Sequence, residues 1–319
     1  MKYLNSEHLR QSISPLEVIA AVEKAMVLYE TTNYFMPQRP HFDRNGNTLL
    51  LMPCFTASSF GTKLVSIFPN NTHHNLPAIQ GLMILNDAKT GEPLAILDAG
   101  TLTALRTAAI GAVSIKYLAK KEVQSLGIIG TGRQGIEQAV FTSKVRPIRD
   151  IWLYNRSVEQ LQKAESKLRK LLPNSKIHIA ENTIQLLQNV KIVITSTNSE
   201  NPVLPNDAEL LKEKHYIGIG SYKPNMREFP QALFSLLKEI YTDTTYALQE
   251  CGDLATPIAE NWLQKEQVKR LGQVIEGKTI VAEASTTCYK SVGMALFDVM
   301  VAEQIYQKAC EMGVGQDLI

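Results

Sequence analysis

The run Gly127-Ile-Ile-Gly-Thr-Gly-Arg-Gln-Gly135 constrains this chain more than any other segment, because an apolar stretch ending in G-x-G-x-x-G is what a strand-to-helix phosphate loop requires. Gly130 permits the tight turn, Gly132 lets the backbone approach a pyrophosphate, and Gly135 allows close helix packing, with Thr131, Arg133 and Gln134 filling the loop. A helix starting there offers unpaired N–H groups and the positive end of its dipole to phosphates. An incidental glycine turn has the same pattern, so the flanks matter. Ser125 to Ile129 reads as a short buried strand, and Gln134 to Val145 as the helix that follows.

About twenty residues further on, where a dinucleotide-binding unit places the residue that reads the adenosine ribose, Ile151-Trp-Leu-Tyr-Asn155 forms a second strand candidate and continues into Arg156-Ser157. An acidic residue there accepts from a ribose 2′-hydroxyl, whereas arginine offers charge-assisted hydrogen bonds to a 2′-phosphate. The expected cofactor is therefore NADP(H), with NAD(H) as the second choice. The competing reading makes Arg156 a solvated side chain beside a helix start capped by Ser157.

A chain of 319 residues with a formal net charge of +2 suggests two domains and gives no basic patch for nucleic acid or for a membrane surface. Its first residues lack a signal-type apolar core and no apolar stretch is long enough to span a bilayer, so a cytoplasmic protein is expected. Cys54, Cys251, Cys288 and Cys310 are scattered without C-x-x-C spacing, which predicts reduced thiols and no metal site. His73 and His74 lie in an Asn-rich, turn-like segment and are read as loop residues.

Ser14-Pro-Leu-Glu17 has the pattern of a capping box and opens a helix to about Thr31, with Leu16, Ile19, Val22 and Met26 as its apolar stripe. The runs Thr48–Met52, Gly61–Phe68, Ala78–Leu85 and Pro93–Leu97 then read as a mostly antiparallel sheet. A helix from Thr101 to Ala119 leads into the nucleotide unit. Beyond it, strands are expected at Ile151–Asn155, Ile177–Ala180, Ile192–Thr195, Tyr216–Gly220, Glu239–Thr242 and Ile280–Glu283, alternating with helices as a parallel doubly wound sheet requires. A last helix is expected from Ser291 to Glu311.

Three basic residues precede or join the nucleotide unit: Arg39 in Met36-Pro-Gln-Arg-Pro40, Lys63 at the start of a strand, and Arg106 in Thr103-Ala-Leu-Arg-Thr-Ala-Ala109. Arg106 has apolar neighbours, so its guanidinium needs an anionic partner. A structural salt bridge and a bound substrate carboxylate both satisfy that need.

The segments Gly61-Thr-Lys-Leu-Val-Ser-Ile-Phe-Pro-Asn70, Thr103 to Ala109, Gly130-Thr-Gly-Arg-Gln134 and Lys290-Ser-Val-Gly-Met-Ala295 resemble the ornithine cyclodeaminase and mu-crystallin family, in the family's order and over nearly the whole chain. The resemblance implies an α/β fold: a doubly wound Rossmann domain over residues 116–295, and an α+β substrate-binding and dimerisation domain over residues 1–115 completed by 296–319. It implies that Arg39, Lys63 and Arg106 hold a substrate carboxylate, with Lys63 and Arg106 also serving catalysis. Lys290, Ser291 and Gly293 then close over the nicotinamide, and Thr195, Ser196 and Thr197 end a strand near the cofactor. Asn155-Arg156-Ser157 is similar to the NADPH-binding Asn-Arg-Thr of mu-crystallin.

Two departures narrow the expected reaction. Leu50 stands where ornithine cyclodeaminases carry a glutamate that engages the substrate amines, and Tyr222 stands where they carry a catalytic aspartate. Loss of both carboxylates removes the means of handling ornithine's amines and protons. The expectation is a homodimeric NAD(P)H-dependent imino-acid reductase, forming proline from delta-1-pyrroline-2-carboxylate or pipecolate from the piperideine homologue. The alternatives are an alanine-dehydrogenase-like enzyme, an ornithine cyclodeaminase and an NADPH-dependent ligand-binding protein.

Overall fold

Local chemistry sets the first helices of the computed structural model, which describes residues 1–74 and 76–318. The Asn5 side chain caps α1 (Ser6–Ser12), and Ser14 and Glu17 form the expected capping box at the start of α2 (Pro15–Tyr29). Val18, Ile19, Val22 and Met26 are buried on α2, whereas Leu16, assigned to that stripe from the sequence, is exposed. At ~100° per residue, steps of three wind around the helix, so Leu16 lies ~120° away from Val22.

The chain divides into two compact units, one made of Met1–Arg106 and the stretch from Met294 onward, the other of Thr107–Gly293. The first holds a sheet of β1 (Lys2–Leu4), β2 (His41–Arg44), β3 (Asn47–Phe55), β4 (Ser59–Ile67), β5 (Ile79–Asp87), β6 (Pro93–Asp98) and a final strand, Gln316–Asp317. Strands β2 to β6 are antiparallel neighbours in sequence order, and β1 lies parallel to β6 with the final strand at its other side. Side chains alternate across the sheet, and the register Met52↔Lys63↔Met83 puts Lys63 on a buried face. The C-terminal helix, Ala295–Met312, packs against α2, β3, β4 and β5. It starts at Ala295 rather than at Ser291, because Gly293 adopts a left-handed φ of 72° that an α-helix does not accommodate. On the opposite sheet face Leu49, Leu64 and Leu82 remain exposed. The Asn-rich segment between β4 and β5 is a short 3-10 helix, Pro69–His74; the side chain of His73 lies outside the described residues.

A long helix, α3 (Ala99–Leu118), carries the chain from the first unit into the second. The second unit is a parallel sheet of β7 (Ser125–Ile129), β8 (Asp150–Tyr154), β9 (Lys176–Ile179), β10 (Ile192–Thr195), β11 (His215–Gly218), β12 (Ile240–Thr242), β13 (Val268–Arg270) and β14 (Thr287–Lys290), in the order β13-β12-β14-β11-β10-β7-β8-β9. Helices α4 (Arg133–Val145) and α5 (Val158–Leu171) follow β7 and β8. From β7 the chain adds strands outward on one side and then returns to its other side at β10. This is the Rossmann-type reversal, and ligands of such sheets bind at the carboxyl ends of the strands flanking it.

One expected strand is wrong. Ile280–Glu283 is not a strand, and Ile280 is 89% exposed. The strand that inserts between β11 and β12 is Thr287–Lys290, buried throughout although its Thr-Cys-Tyr-Lys sequence reads as half polar. The Thr287 hydroxyl meets His215 and the Leu118 carbonyl, and the Lys290 ammonium faces Asp253, pairings that hydrophobic patterning does not register. The short β13 also lacked a sequence signal.

Candidate active site

The glycine loop joins β7 to α4 with the division of labour its spacing requires. Gly130 has φ 92°, and a Cβ there would meet the Ser196 carbonyl oxygen at 2.7 Å. At Gly135 a Cβ would stand 2.2 Å from the Gly130 oxygen, so only glycine lets α4 pack this closely. Gly132, the N-cap residue of α4, is exposed; a Cβ added there would meet nothing within 4 Å, and no side chain caps the helix. The first-turn amides and dipole end of α4 are thus left for an anion beside open space. These features fit a pyrophosphate-bearing cofactor.

The end of β8 is tied to this loop. Asn155 Nδ2 donates to Thr131 Oγ1 at 2.8 Å, while its Oδ1 accepts from the Ser157 amide at 3.0 Å. Ser157 caps α5, accepting from the Gln160 amide. Arg156 between them is exposed and forms no ion pair within the described residues. Ser157 is thus the expected helix cap, and the exposed Arg156 is compatible with either reading of it.

The strand ends beside β7 are held by one carboxylate. Glu228, fully buried, accepts from the Thr197 amide (2.7 Å) and hydroxyl (2.9 Å) with Oε1, and from the Gly220 and Ser221 amides (2.7 and 3.3 Å) with Oε2. It pins the segment after β10 to the segment after β11. Ser196 donates to the Gly130 carbonyl at 2.7 Å, so the pinned segment also meets the glycine loop, while Thr195 is buried with its hydroxyl toward the Ile217 carbonyl. Asp253 Oδ1 accepts from the Glu228 and Phe229 amides, and its Oδ2 lies 3.6 Å from Lys290 Nζ. Burial pushes both carboxyls up, opposed by Lys290; burial alone would depress the Lys290 ammonium, but Asp253 and its neighbouring acids hold it above the ordinary lysine range. Asp243 Oδ2 accepts from the Ser291 hydroxyl (2.7 Å) and the Gly293 amide (2.9 Å). The side chains of Lys290 and Ser291 are therefore engaged within the protein, as are the Val292 and Gly293 amides.

In the first unit, Lys63 and Arg106 converge. Lys63 Nζ stands 2.7 Å from Asp298 Oδ2, and Arg106 Nε 3.1 Å from Asp298 Oδ1, all three side chains buried. Burial drags the Lys63 ammonium down to about 8; Asp298 opposes this, while the charges of Arg106 and Arg39 add to it. Arg39, half-buried in the segment before β2, is thus part of the same electrostatic group. Lys63 and Arg106 share the one carboxylate of Asp298, so this pair carries more positive than negative charge, an arrangement that favours binding an anion. Leu50 lies on the Lys63 face of the sheet, since Met52 pairs with Lys63 and Leu50 with Val65. Tyr222 is exposed, with the Lys223 ammonium 5.8 Å above its ring.

A sequence profile of the ornithine cyclodeaminase/mu-crystallin family matches residues 3–313. The chain belongs to this family. The delta(1)-pyrroline-2-carboxylate reductase of Bacillus cereus is 33% identical to it, the match covering 99% of each protein. The solved structure of Thermococcus litoralis delta(1)-pyrroline-2-carboxylate reductase in complex with NADH and L-proline superposes with a TM-score of 0.93 at 29% identity, covering 100% of both chains. An archaeal alanine dehydrogenase dimer with bound NAD gives a TM-score of 0.92 at 28% identity, over 100% of this chain and 99% of that one.

Asp298, Glu228, Asp253 and Asp243 were absent from the sequence-derived site. Asp298 had a readable signal: it sits in the buried helical stripe Ala295, Asp298, Ala302, Ile305, Ala309, where a charge needs a partner. The other three carry no such signal, because their partners are mostly main-chain amides brought in by the fold.

Proposed function

We propose that this member of the family is an NAD(P)H-dependent imino-acid reductase, with delta-1-pyrroline-2-carboxylate as its leading substrate and L-proline as the product. The observation that carries the reading is the pairing of two buried cations, Lys63 and Arg106, with the one carboxylate of Asp298, whose surplus positive charge suits an α-imino carboxylate. Leu50 supports it too, because an apolar residue on the Lys63 face suits an aliphatic ring better than the terminal amine of ornithine. The six-membered piperideine homologue, yielding pipecolate, differs by one methylene and belongs to the same substrate class.

Arg39, Lys63 and Arg106 hold the carboxylate, and Lys63, whose ammonium burial draws down to about 8, is assigned the proton handling at the imine nitrogen. The cofactor is assigned to the amides of α4, to Gly130–Gln134, and to Asn155, Arg156 and Ser157, with Thr195–Thr197 and the main chain of Lys290–Gly293 beside the nicotinamide. When bound, it supplies hydride to the imine carbon. The two structural neighbours are complexes with NADH and NAD. Arg156, in place of an acidic ribose reader, is the reason to expect NADP(H) to be preferred here.

A homodimer is part of this reading: the exposed face bearing Leu49, Leu64 and Leu82 is an apolar surface that a second copy would cover. Among the described residues no helix is long and apolar enough to cross a membrane, and the cysteines are free, three of them buried, which supports a cytoplasmic setting. The test is loss of NADPH or NADH absorbance on adding pyrroline-2-carboxylate, piperideine-2-carboxylate, or pyruvate with ammonia. Turnover only with pyruvate and ammonia would replace the reading with an alanine dehydrogenase.

A further inference from the structure

The two oxygens of Asp298 are divided between two elements: Oδ2 takes Lys63 Nζ from β4, and Oδ1 takes Arg106 Nε from α3. Thr103 Oγ1, also on α3, lies 3.3 Å from the same ammonium. Two of the three Lys63 donor directions are thus fixed, leaving one for a ligand. Arg106 gives Asp298 only its Nε, and its two terminal nitrogens make no hydrogen bond to the described residues. Those nitrogens are the pair that grips a carboxylate in bidentate fashion. Asp298 itself is fully buried, so it meets substrate only through its two partners.

We propose that Asp298 is the positioning residue of the carboxylate site: by anchoring Lys63 and Arg106 on its opposite oxygens, it fixes their spacing and turns their remaining donors toward one substrate carboxylate. The inference rests on the reading of Lys63 and Arg106 as substrate ligands. Without the anion between them, the two cations repel each other and Arg106 loses the contact that orients its guanidinium plane. Asp298 also sets the charge state of the site. The groups around Lys63 are Asp298 from the C-terminal helix, Arg106 and Thr103 from α3, and Arg39 from the segment before β2. Cys54 of β3 faces the same carboxylate, and its thiol is pushed up to about 12 by burial and by Asp298, so it remains neutral. Asp298 raises the Lys63 pKa, and removing it leaves burial and the charges of Arg106 and Arg39, which drive the ammonium to lose its proton.

The test compares Asp298→Asn and Asp298→Glu with the unaltered protein, following steady-state reduction of pyrroline-2-carboxylate and the titration of the Lys63 ammonium by NMR of labelled lysines, assigned with Lys63→Arg. Asp298→Asn is expected to raise KM by about tenfold or more, to move the basic limb of kcat/KM to lower pH, and to leave NADH affinity within about twofold. Asp298→Glu is expected to keep the limb while raising KM, since the charge stays and the spacing changes. Unchanged KM and an unchanged basic limb in Asp298→Asn would overturn the proposal. If that variant does not fold, an unchanged KM in Asp298→Glu overturns it. If the unaltered protein reduces no imino acid, the functional reading fails by itself, and an unshifted Lys63 titration in Asp298→Asn still decides against the role given to Asp298.

Discussion

Lys290 Nζ and Asp253 Oδ2 face each other across 3.6 Å, both fully buried, and neither atom has a hydrogen-bond partner among the described residues. The pair stands directly behind Glu228, whose amide is held by the other oxygen of Asp253 and whose carboxylate pins the ends of two central strands. Lys290 is the cation that balances both acids.

Lys290→Met should therefore act on stability before it acts on ligand affinity. Removing one partner of a buried charge pair costs about 3–5 kcal/mol, and a urea unfolding midpoint would register a loss of that size. NADPH affinity measured well below the unfolding transition should change little. Loss of affinity with full stability would instead give the Lys290 side chain a direct cofactor contact.

Arg156→Ala separates the two nicotinamide cofactors. The guanidinium is exposed, beside the Asn155 bridge to Thr131 and the Ser157 cap. A charge-assisted contact to the 2′-phosphate contributes about 1.5–3 kcal/mol, so NADPH should bind at least about tenfold more weakly to the variant, with NADH affinity almost unaltered. Equal losses for both, read by fluorescence titration, would point to a disturbed loop.

Much of this was legible before the fold, and what was hidden has a common cause. The glycine loop, the capping box at Ser14 and the strand β7 are local or carry a mechanism at fixed spacing, whereas Arg39, Lys63 and Arg106 stood out as one carboxylate site only through the family resemblance. In Asn155-Arg156-Ser157 the Ser157 cap was legible and is present, while Arg156 is exposed. The acids that organise the site were not legible except for Asp298, because Glu228 and Asp253 act on amides far along the chain. Thr287–Lys290 is hidden for a related reason: a buried strand that carries a threonine hydroxyl and a lysine ammonium into the core does not look apolar.

The pH dependence follows from Lys63. Its proton is needed for the ammonium to hold a carboxylate, and burial has drawn its pKa down to about 8 from an ordinary lysine value. A group that must be protonated supports activity below its pKa and loses it as pH rises through that value. kcat/KM for the imino acid should accordingly fall above about pH 8, while the Lys63→Arg protein, whose guanidinium does not titrate there, should lack that limb. A profile flat to pH ~10 in the unaltered enzyme would remove Lys63 from the ionisation that controls binding.

Arg106→Ala decides where the substrate sits. In the proposed reading its two terminal nitrogens hold the substrate carboxylate and its Nε holds Asp298, while every residue assigned to the cofactor lies in the other unit. The substitution should lower kcat/KM for pyrroline-2-carboxylate by about a hundredfold or more, the equivalent of losing a buried charged partner, and leave NADPH binding within about twofold of the original. Ornithine should not be converted to proline by either protein, because position 50 on the Lys63 face is leucine and position 222 is tyrosine, so neither supplies a carboxylate for its amines. Ammonia release from ornithine by the unaltered protein would restore the cyclodeaminase reading. Undiminished imine reduction by the Arg106→Ala protein would move the carboxylate site away from Lys63 and Asp298.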